Sequence, residues 1–351
     1  MALSILTLTS PQFASRSRNV FVEARGEAKG SGVAADLYRR FFREGALSLT
    51  ALGLTPASVA LWETVCATAS PLRLERVEKD PGEGPAAKAV FLLDDGARIE
   101  TVLVPMADGS RGTLCISSQA GCAMGCAFCE TGRYGLTRNL ETAEIVAQVH
   151  DARFVLGWEF SSLVFMGMGE PLDNFDQVVQ ALNVLFDPRG FAFAQERVTV
   201  CTVGLAEGIR ALAAMGWKRL GLSLSLNAAR HELRQTLMPV TRSNSLESLH
   251  SALAAYPMRP NFVLALNYCL LPGINNTPKD ASEVAAFVRG LGRTLVNLIP
   301  YNPGTQPLAP APTDLEIDTF LGWLRREGLD AKVRGPKGRS IMAACGQLGG
   351  L

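Results

Sequence analysis

Along most of the chain, short apolar runs alternate with longer stretches whose apolar positions recur every three to four residues. The short runs, at 113–117, 162–166, 198–203, 220–225, 262–270 and 294–299, predict strands. The periodic stretches predict helices at about 140–156, 174–186, 205–215, 245–256, 278–290 and 313–327. Repeated strand–helix alternation implies an α/β fold, a parallel sheet joined by right-handed crossovers. Six such units are too few for a closed eight-fold barrel. A partial (β/α)6 barrel fits the count, and a doubly wound open sheet would give the same pattern. In both, ligands bind beyond the carboxyl ends of the strands.

The flanking regions read differently. Residues 1–15 are Ser/Thr-rich and predict a flexible tail. Residues 16–75 predict a small helical accessory domain of RNA-binding type. Within it, 32–44 has helical apolar spacing, and Thr55-Pro56 supplies an N-cap and a first helical residue for a helix to about Ala69. Residues 88–104 are two β-like runs about Asp95-Gly96, a hairpin signal, within a 76–111 extension. The barrel is then expected over 112–330, with a separate C-terminal segment over 331–351. The Pro-rich stretch Gln306–Pro312 reads as a loop.

Composition narrows the class of partner. The 351 residues are 48% apolar and carry a formal net charge of +1, which is not the basic signature of a free-standing nucleic-acid binder. Nucleic-acid contact would need local patches: Lys332, Arg334, Lys337 and Arg339, or Arg39, Arg40 and Arg43. A solvated charged face explains each cluster equally well. No apolar run approaches the ~18–20 residues that span a bilayer, so no membrane partner is expected. The N-terminus lacks a secretory apolar core, and a cytoplasmic protein is expected. His150, His231 and His250 read as ordinary surface or satisfied residues.

Four of the eight cysteines fall between Cys115 and Cys129. In a reducing compartment such clustering points to a metal site or to redox chemistry. Cys122, Cys126 and Cys129 form a C-x3-C-x2-C pattern, and thiolates are the ligands of iron–sulfur clusters. Three cysteines bind three irons of a 4Fe–4S cluster and leave the fourth open to S-adenosylmethionine (SAM). Phe128 suits packing against that cofactor. A structural zinc site with Cys115 as fourth ligand is the rival, though zinc favours two C-x2-4-C pairs. Buried free thiols are the plainest alternative. Gly167-Met-Gly169-Glu170-Pro171 follows a strand; its glycines would admit a ligand to the backbone, and Glu170 could accept bonds from the amino group of SAM. A tight turn explains the same residues.

The cysteine pattern after a strand resembles the radical SAM superfamily. Thr113-Leu-Cys-Ile-Ser-Ser-Gln-Ala-Gly-Cys122, Cys126-Ala-Phe-Cys129-Glu-Thr-Gly and Thr137-Arg-Asn-Leu resemble, more narrowly, the RlmN/Cfr family of RNA adenine methyltransferases. So do Met166-Gly-Met-Gly-Glu-Pro-Leu172, Val296-Asn-Leu-Ile-Pro-Tyr-Asn-Pro303 and Ala343-Ala-Cys-Gly-Gln-Leu348. The likeness runs from about Ile99 to Leu348.

The resemblance implies two SAM molecules per turnover. Cys345 would accept a methyl group from the first. The second, bound at the cluster, would be cleaved to a 5′-deoxyadenosyl radical that takes hydrogen from that methyl. The methylene radical would add to carbon 2 or 8 of an adenine, in 23S ribosomal RNA or in tRNA. Cys115 would attack Cys345 and release product as a disulfide forms, and Glu100 would move a proton. Gly169, Glu170, Cys201, Ser225, Asn227 and Asn302 match SAM-contacting positions. A reducing donor such as flavodoxin and a monomer are expected. Cys66 and Cys269 keep a reading as core positions.

Three positions depart from the family pattern: Cys201 replaces Ser, Asn227 replaces His, and Ser340 stands where Asp is common. They motivate two further readings, a radical SAM enzyme acting on a small molecule or peptide, and a zinc-stabilised RNA-binding protein without catalysis.

Overall fold

The computed structural model describes residues 3–26, 31–45, 49, 52–67, 69–82, 86–106, 111–257, 259 and 261–349. Three helices come first, α1 (Ser10–Arg25), α2 (Ser31–Glu44) and α3 (Pro56–Val65). Three antiparallel strands follow, β1 (Leu72–Lys79), β2 (Ala87–Leu93) and β3 (Arg98–Val104). The β2–β3 hairpin turns at Asp95-Gly96, where Gly96 adopts φ +85°. Then come β4 (Gly112–Cys115), β5 (Phe160–Phe165), β6 (Val198–Thr202), β7 (Gly221–Ser225), β8 (Leu264–Leu270), β9 (Thr294–Pro300) and β10 (Ala331–Val333).

These ten strands form one sheet in which spatial order equals chain order, from β10 to β1. From β4 to β10 every neighbouring pair is parallel. A doubly wound sheet would reverse its strand order at a switch point, and this sheet does not. The architecture is therefore a partial barrel, open at both edges. Helices α4 (Thr142–Phe154), α5 (Phe175–Phe186), α6 (Ala206–Ala214), α7 (Leu246–Ala254), α8 (Pro278–Val288) and α9 (Asp314–Arg326) cover it. Reciprocal capping boxes at Thr277–Asp280 and Thr313–Glu316 start α8 and α9 where the apolar period starts. Strand interiors such as Leu163, Val200, Leu222, Leu264 and Leu298 are fully buried.

The termini differ from expectation. Residues 3–15 are not a loose tail: α1 begins at Ser10 behind a Thr9–Gln12 capping box, and Ile5, Leu6 and Phe13 are buried. The Ser10 backbone N–H and hydroxyl donate to Asp187 at 2.6 and 3.0 Å, and Tyr38 Oη donates to the Leu8 carbonyl at 3.0 Å. The antiparallel extension begins at Leu72, ahead of the expected hairpin. At the other end β10 pairs with β9, so the sheet runs past residue 330 into the segment expected to be separate. Cys66 is in a two-residue strand, but its side chain lies outside the described residues. His150, read as surface or satisfied, is buried, with Nδ1 3.1 Å from Asp151 Oδ1 and its ring stacked on Phe41 at 4.6 Å between centroids.

Candidate active site

The carboxyl ends of β4 to β9 surround a cavity with about 940 Å3 of empty space, part of it open to solvent. Eight of the expected residues line it: Cys126, Cys129, Gly169, Glu170, Cys201, Ser225, Asn227 and Cys345. A second cavity of about 550 Å3 is lined by Cys115, Asn302, Arg334 and Lys337. Cys345, Met166, Ile299 and Leu348 belong to both walls.

Cys122, Cys126 and Cys129 occupy one loop beyond β4, the first two buried and the third half-buried. Burial pushes the Cys122 thiol up to about 12 and the Cys126 and Cys129 thiols upward as well; the charges of neighbouring thiols add to each rise at Cys122 and Cys126. Among the described residues, no three His, Cys, Asp or Glu side chains converge where a single metal ion could sit. A zinc site completed by Cys115 is not formed, because Cys115 faces the second cavity. A cluster of four irons spreads its cysteine ligands wider than one ion does, and three thiols carried on one loop fit that demand. The loop is locked by Gly132, where a Cβ would stand 2.9 Å from the Cys126 nitrogen.

Glu170 is buried beside these thiols. Its carboxylate accepts from the Val203 and Leu172 backbone N–H groups at 2.8 and 3.1 Å. Burial pushes its carboxyl up to about 7, and those N–H groups hold it from rising further. The glycines before it have another cause than ligand approach. A Cβ on Gly167 would meet the Ile116 carbonyl carbon at 2.7 Å; one on Gly169, at φ +100°, would meet Gln119 Cβ at 2.5 Å. Packing against residues 116–119 therefore dictates both.

The departures are accommodated by local geometry. Asn227 sits at φ +57°, a left-handed conformation that Asn tolerates well. Its Oδ1 accepts from the Cys269 N–H at 2.9 Å, which turns the side chain back onto β8. Cys201 Sγ lies 3.5 Å from Ser225 Oγ and accepts from Asn267 Nδ2 at 3.3 Å. Asn267 also donates to Ser223 Oγ at 2.9 Å and accepts from Asn297 Nδ2 at 3.2 Å, so a polar ladder crosses β6 to β9 inside the barrel.

The C-terminal segment closes the site from above. The Asn302 amide donates to the Cys345 carbonyl at 3.3 Å, and Gln347 Nε2 to the Pro303 carbonyl at 2.9 Å. The Glu130 N–H donates to the Gly346 carbonyl at 2.8 Å, and Thr131 Oγ1 to the Leu348 carbonyl at 2.6 Å. Cys345 is thereby pinned against the cysteine loop with its thiol exposed. Cys115 is buried, and burial pushes its thiol up to about 12, with the Cys345 charge raising it and Arg334 lowering it.

Glu100 reaches neither cavity. It is buried, 3.1 Å from the Lys88 ammonium, and accepts from the Gly349 N–H at 2.7 Å. The basic clusters also differ from each other. Arg39 and Arg40 are paired with Asp36 at 3.0 and 2.8 Å within α2, and Arg43 donates to the Pro188 carbonyl. Arg334 and Lys337 instead line the second cavity, and Arg339 donates to Asn302 at 3.0 Å.

Comparison with known proteins gives this arrangement a context. The family described as the Radical SAM superfamily matches residues 116–285. A probable dual-specificity RNA methyltransferase RlmN 1 of Protochlamydia amoebophila is 38% identical over 352 residues, covering 99% of this chain and 94% of that protein. The chain belongs to the RlmN/Cfr family of radical SAM RNA methyltransferases. Another RlmN/Cfr-like relative, the ribosomal RNA large subunit methyltransferase N of Nitrosopumilus maritimus, is 39% identical over 283 residues, covering 78% of this chain and 79% of that protein. The crystal structure of a radical SAM methyltransferase from Sphaerobacter thermophilus matches with a TM-score of 0.87 at 35% identity, covering 100% of both chains. As an RlmN/Cfr-family member the protein is a SAM-dependent radical methyltransferase, and the family implies a 4Fe–4S cluster. Among the described residues no helix is long and apolar enough to cross a membrane.

Sequence reasoning missed Asn267, Cys269, Tyr301 and Thr131 as lining residues. Asn267 carried a signal: it is a lone amide inside the apolar run Leu264–Leu270. Cys269, expected in the core, lines the main cavity instead.

Proposed function

We propose that the protein methylates carbon 2 or carbon 8 of an adenine in RNA, ribosomal RNA first and tRNA as a second target. The observation that carries this reading is the position of Cys345. Its exposed thiol stands on the wall shared by a cavity lined by Cys126, Cys129 and Glu170 and a cavity lined by Cys115, Arg334 and Lys337. A methyl carrier needs access to a methyl donor and to the acceptor, and this wall offers both. The names of the relatives point to RNA, and one of them to large-subunit ribosomal RNA.

Cys122, Cys126 and Cys129 would hold one 4Fe–4S cluster. When bound, it supplies the electron that cleaves SAM into a carbon radical. Glu170, Gly169, Ser225, Asn227 and Cys201 would orient SAM, Glu170 by accepting from its amino group. Asn302 would act indirectly, by holding the Cys345 carbonyl. The Cys345 thiolate would take a methyl group from a first SAM, the new C–S bond forming as the sulfonium C–S bond breaks. A second SAM would supply the radical that takes a hydrogen atom from this methyl. Carbon–carbon bonding to the adenine follows, because a carbon radical adds to a ring position that is too weak a nucleophile for direct transfer. The adduct would give up its unpaired electron to the cluster site and its ring hydrogen as a proton; the Cys115 thiolate would then attack the Cys345 sulfur, the S–CH2 bond breaking as the S–S bond forms and the released carbon taking up a proton to become methyl, which leaves a disulfide for an external thiol to reduce. For Glu100 to move a proton at the adenine, the Gly349 contact must open. A flavodoxin-type electron donor, a cytoplasmic setting and a monomer complete the reading.

The test is mass spectrometry of nucleosides from ribosomal RNA incubated anaerobically with the protein, SAM and a reductant. Methyladenosine is the expected product. Deoxyadenosine formed beside unmodified RNA would overturn the RNA reading in favour of a small-molecule or peptide substrate, the reading that the changes at Cys201, Asn227 and Ser340 motivate.

Glu170 makes the SAM site sensitive to pH. Burial pushes its carboxyl up to about 7, above the ordinary glutamate value, and only the ionised form attracts the SAM amino group well. The sign follows: affinity for SAM is retained above pH 7 and lost as pH falls through it. Between pH 7.5 and 6 the dissociation constant is expected to rise roughly five- to tenfold, following the ionised fraction. Glu170→Gln should bind weakly at every pH, and equilibrium dialysis that found the native affinity unchanged over this range would remove Glu170 from the role.

A further inference from the structure

Arg234 is fully buried on the helix His231–Leu237, and sequence reasoning gave it no part. A buried guanidinium normally faces a carboxylate, since an isolated charge in a low-dielectric interior is strongly disfavoured. Arg234 has no such partner among the described residues. Its Nε donates to the Leu226 carbonyl at 3.1 Å, one terminal nitrogen to Thr241 Oγ1 at 2.8 Å, and the other to the Val203 carbonyl and, at 3.3 Å, the Ser225 carbonyl. Every one of those acceptors is neutral.

The neighbourhood says what the charge faces. Val203 and Ser225 line the main cavity, so the guanidinium lies directly behind its wall. The carbonyl of Leu237, on the same helix, accepts from the Ala127 N–H at 2.9 Å, which straps this helix to the residue after Cys126. Cys126 lines the same cavity as Val203 and Ser225, the residues whose carbonyls hold the guanidinium. Burial lowers the guanidinium only to about 10, so it stays cationic at neutral pH.

We propose that Arg234 is the buried counter-charge of the thiolate-held cluster, a positioning residue that stabilises the added electron and so raises the cluster's reduction potential. The proposal rests on the reading of Cys122, Cys126 and Cys129 as cluster ligands. Net charge near an iron–sulfur cluster is one of the factors that set its potential. Removing one positive charge from behind Cys126 disfavours the reduced state, which is the more negative of the two.

Two variants test this in the full chain, reconstituted without oxygen. Arg234→Gln removes the charge and some of the carbonyl bonds. Thr241→Asp keeps Arg234 and its carbonyl bonds but places a carboxylate on the guanidinium. Iron and sulfide per chain, and the midpoint potential from a reductive titration followed by electron paramagnetic resonance, are the readouts. Each variant is expected to shift the reduction equilibrium at least tenfold against the reduced form, 59 mV for one electron. Arg234→Lys is expected to restore most of that shift. Where Arg234→Gln fails to fold, Thr241→Asp decides alone. Variants that hold a full cluster at the native potential overturn the role of Arg234 and leave the function intact. Native protein that takes up no iron overturns the cluster reading itself.

Discussion

Replacing Cys345 with alanine is expected to lower RNA methylation by about 10^3-fold or more, the scale of losing an essential nucleophile. The thiol is exposed, and its neighbours Ala344 and Gly346 are anchored through their backbones, so folding should hardly respond. A surface change of this kind stays within about 0.5 kcal/mol. SAM cleavage, which draws on the cysteine loop and Glu170, should persist. The check is a paired assay on one preparation, methyladenosine by mass spectrometry and deoxyadenosine by chromatography. Methyladenosine at the native rate would refute the methyl-carrier role.

Cys115→Ala separates addition from release. With no thiol in the second cavity to attack Cys345, the adenine adduct has no way out, and an RNA–protein crosslink should accumulate to nearly one per active chain. A denaturing gel shows it as a slow band that nuclease shortens. Cys115 is buried, and the loss of one sulfur from β4 should cost about 1 kcal/mol of stability. Burial also holds the native thiol at about 12, so only a small fraction is thiolate at neutral pH. Release should therefore quicken as pH rises, by up to about tenfold per unit where this step limits turnover. Normal turnover by the alanine variant would remove Cys115 from the mechanism.

Local patterns were legible where local physics decides. Each parallel strand from β4 to β9 is an apolar run between turn residues, and each covering helix has its own apolar period, so their positions could be read to within a few residues. Barrel against doubly wound sheet could not be read, because strand order is a property of long-range pairing. The N-terminal segment misled because its composition outweighed a short signal: Thr9 and Gln12 form a capping box, and Pro11 follows the first helical residue. Strand β1, with one buried residue in eight, has almost no apolar alternation to notice.

The site divides in the same way. Cys122, Cys126, Cys129 and Glu170 lie in contiguous stretches and could be named from spacing. That Cys345 stands between two cavities depends on Asn302, Glu130 and Thr131, which come from distant parts of the chain. Two of the three basic residues that matched an RNA patch on α2, Arg39 and Arg40, are neutralised in space by Asp36 and Glu44. Arg234 is the reverse, an ordinary arginine in sequence whose isolation appears only when its acceptors are counted.

Of the seven described free thiols, six are buried or half-buried, and Cys345 alone faces solvent. A mild electrophile diffusing in from bulk water thus meets one sulfur well before the rest. Alkylating agents and oxidants become site-directed reagents without any targeting group. Among the thiols, the one at the proposed methyl-accepting position is the first to be modified, while the other cysteines of the cavity wall stay shielded.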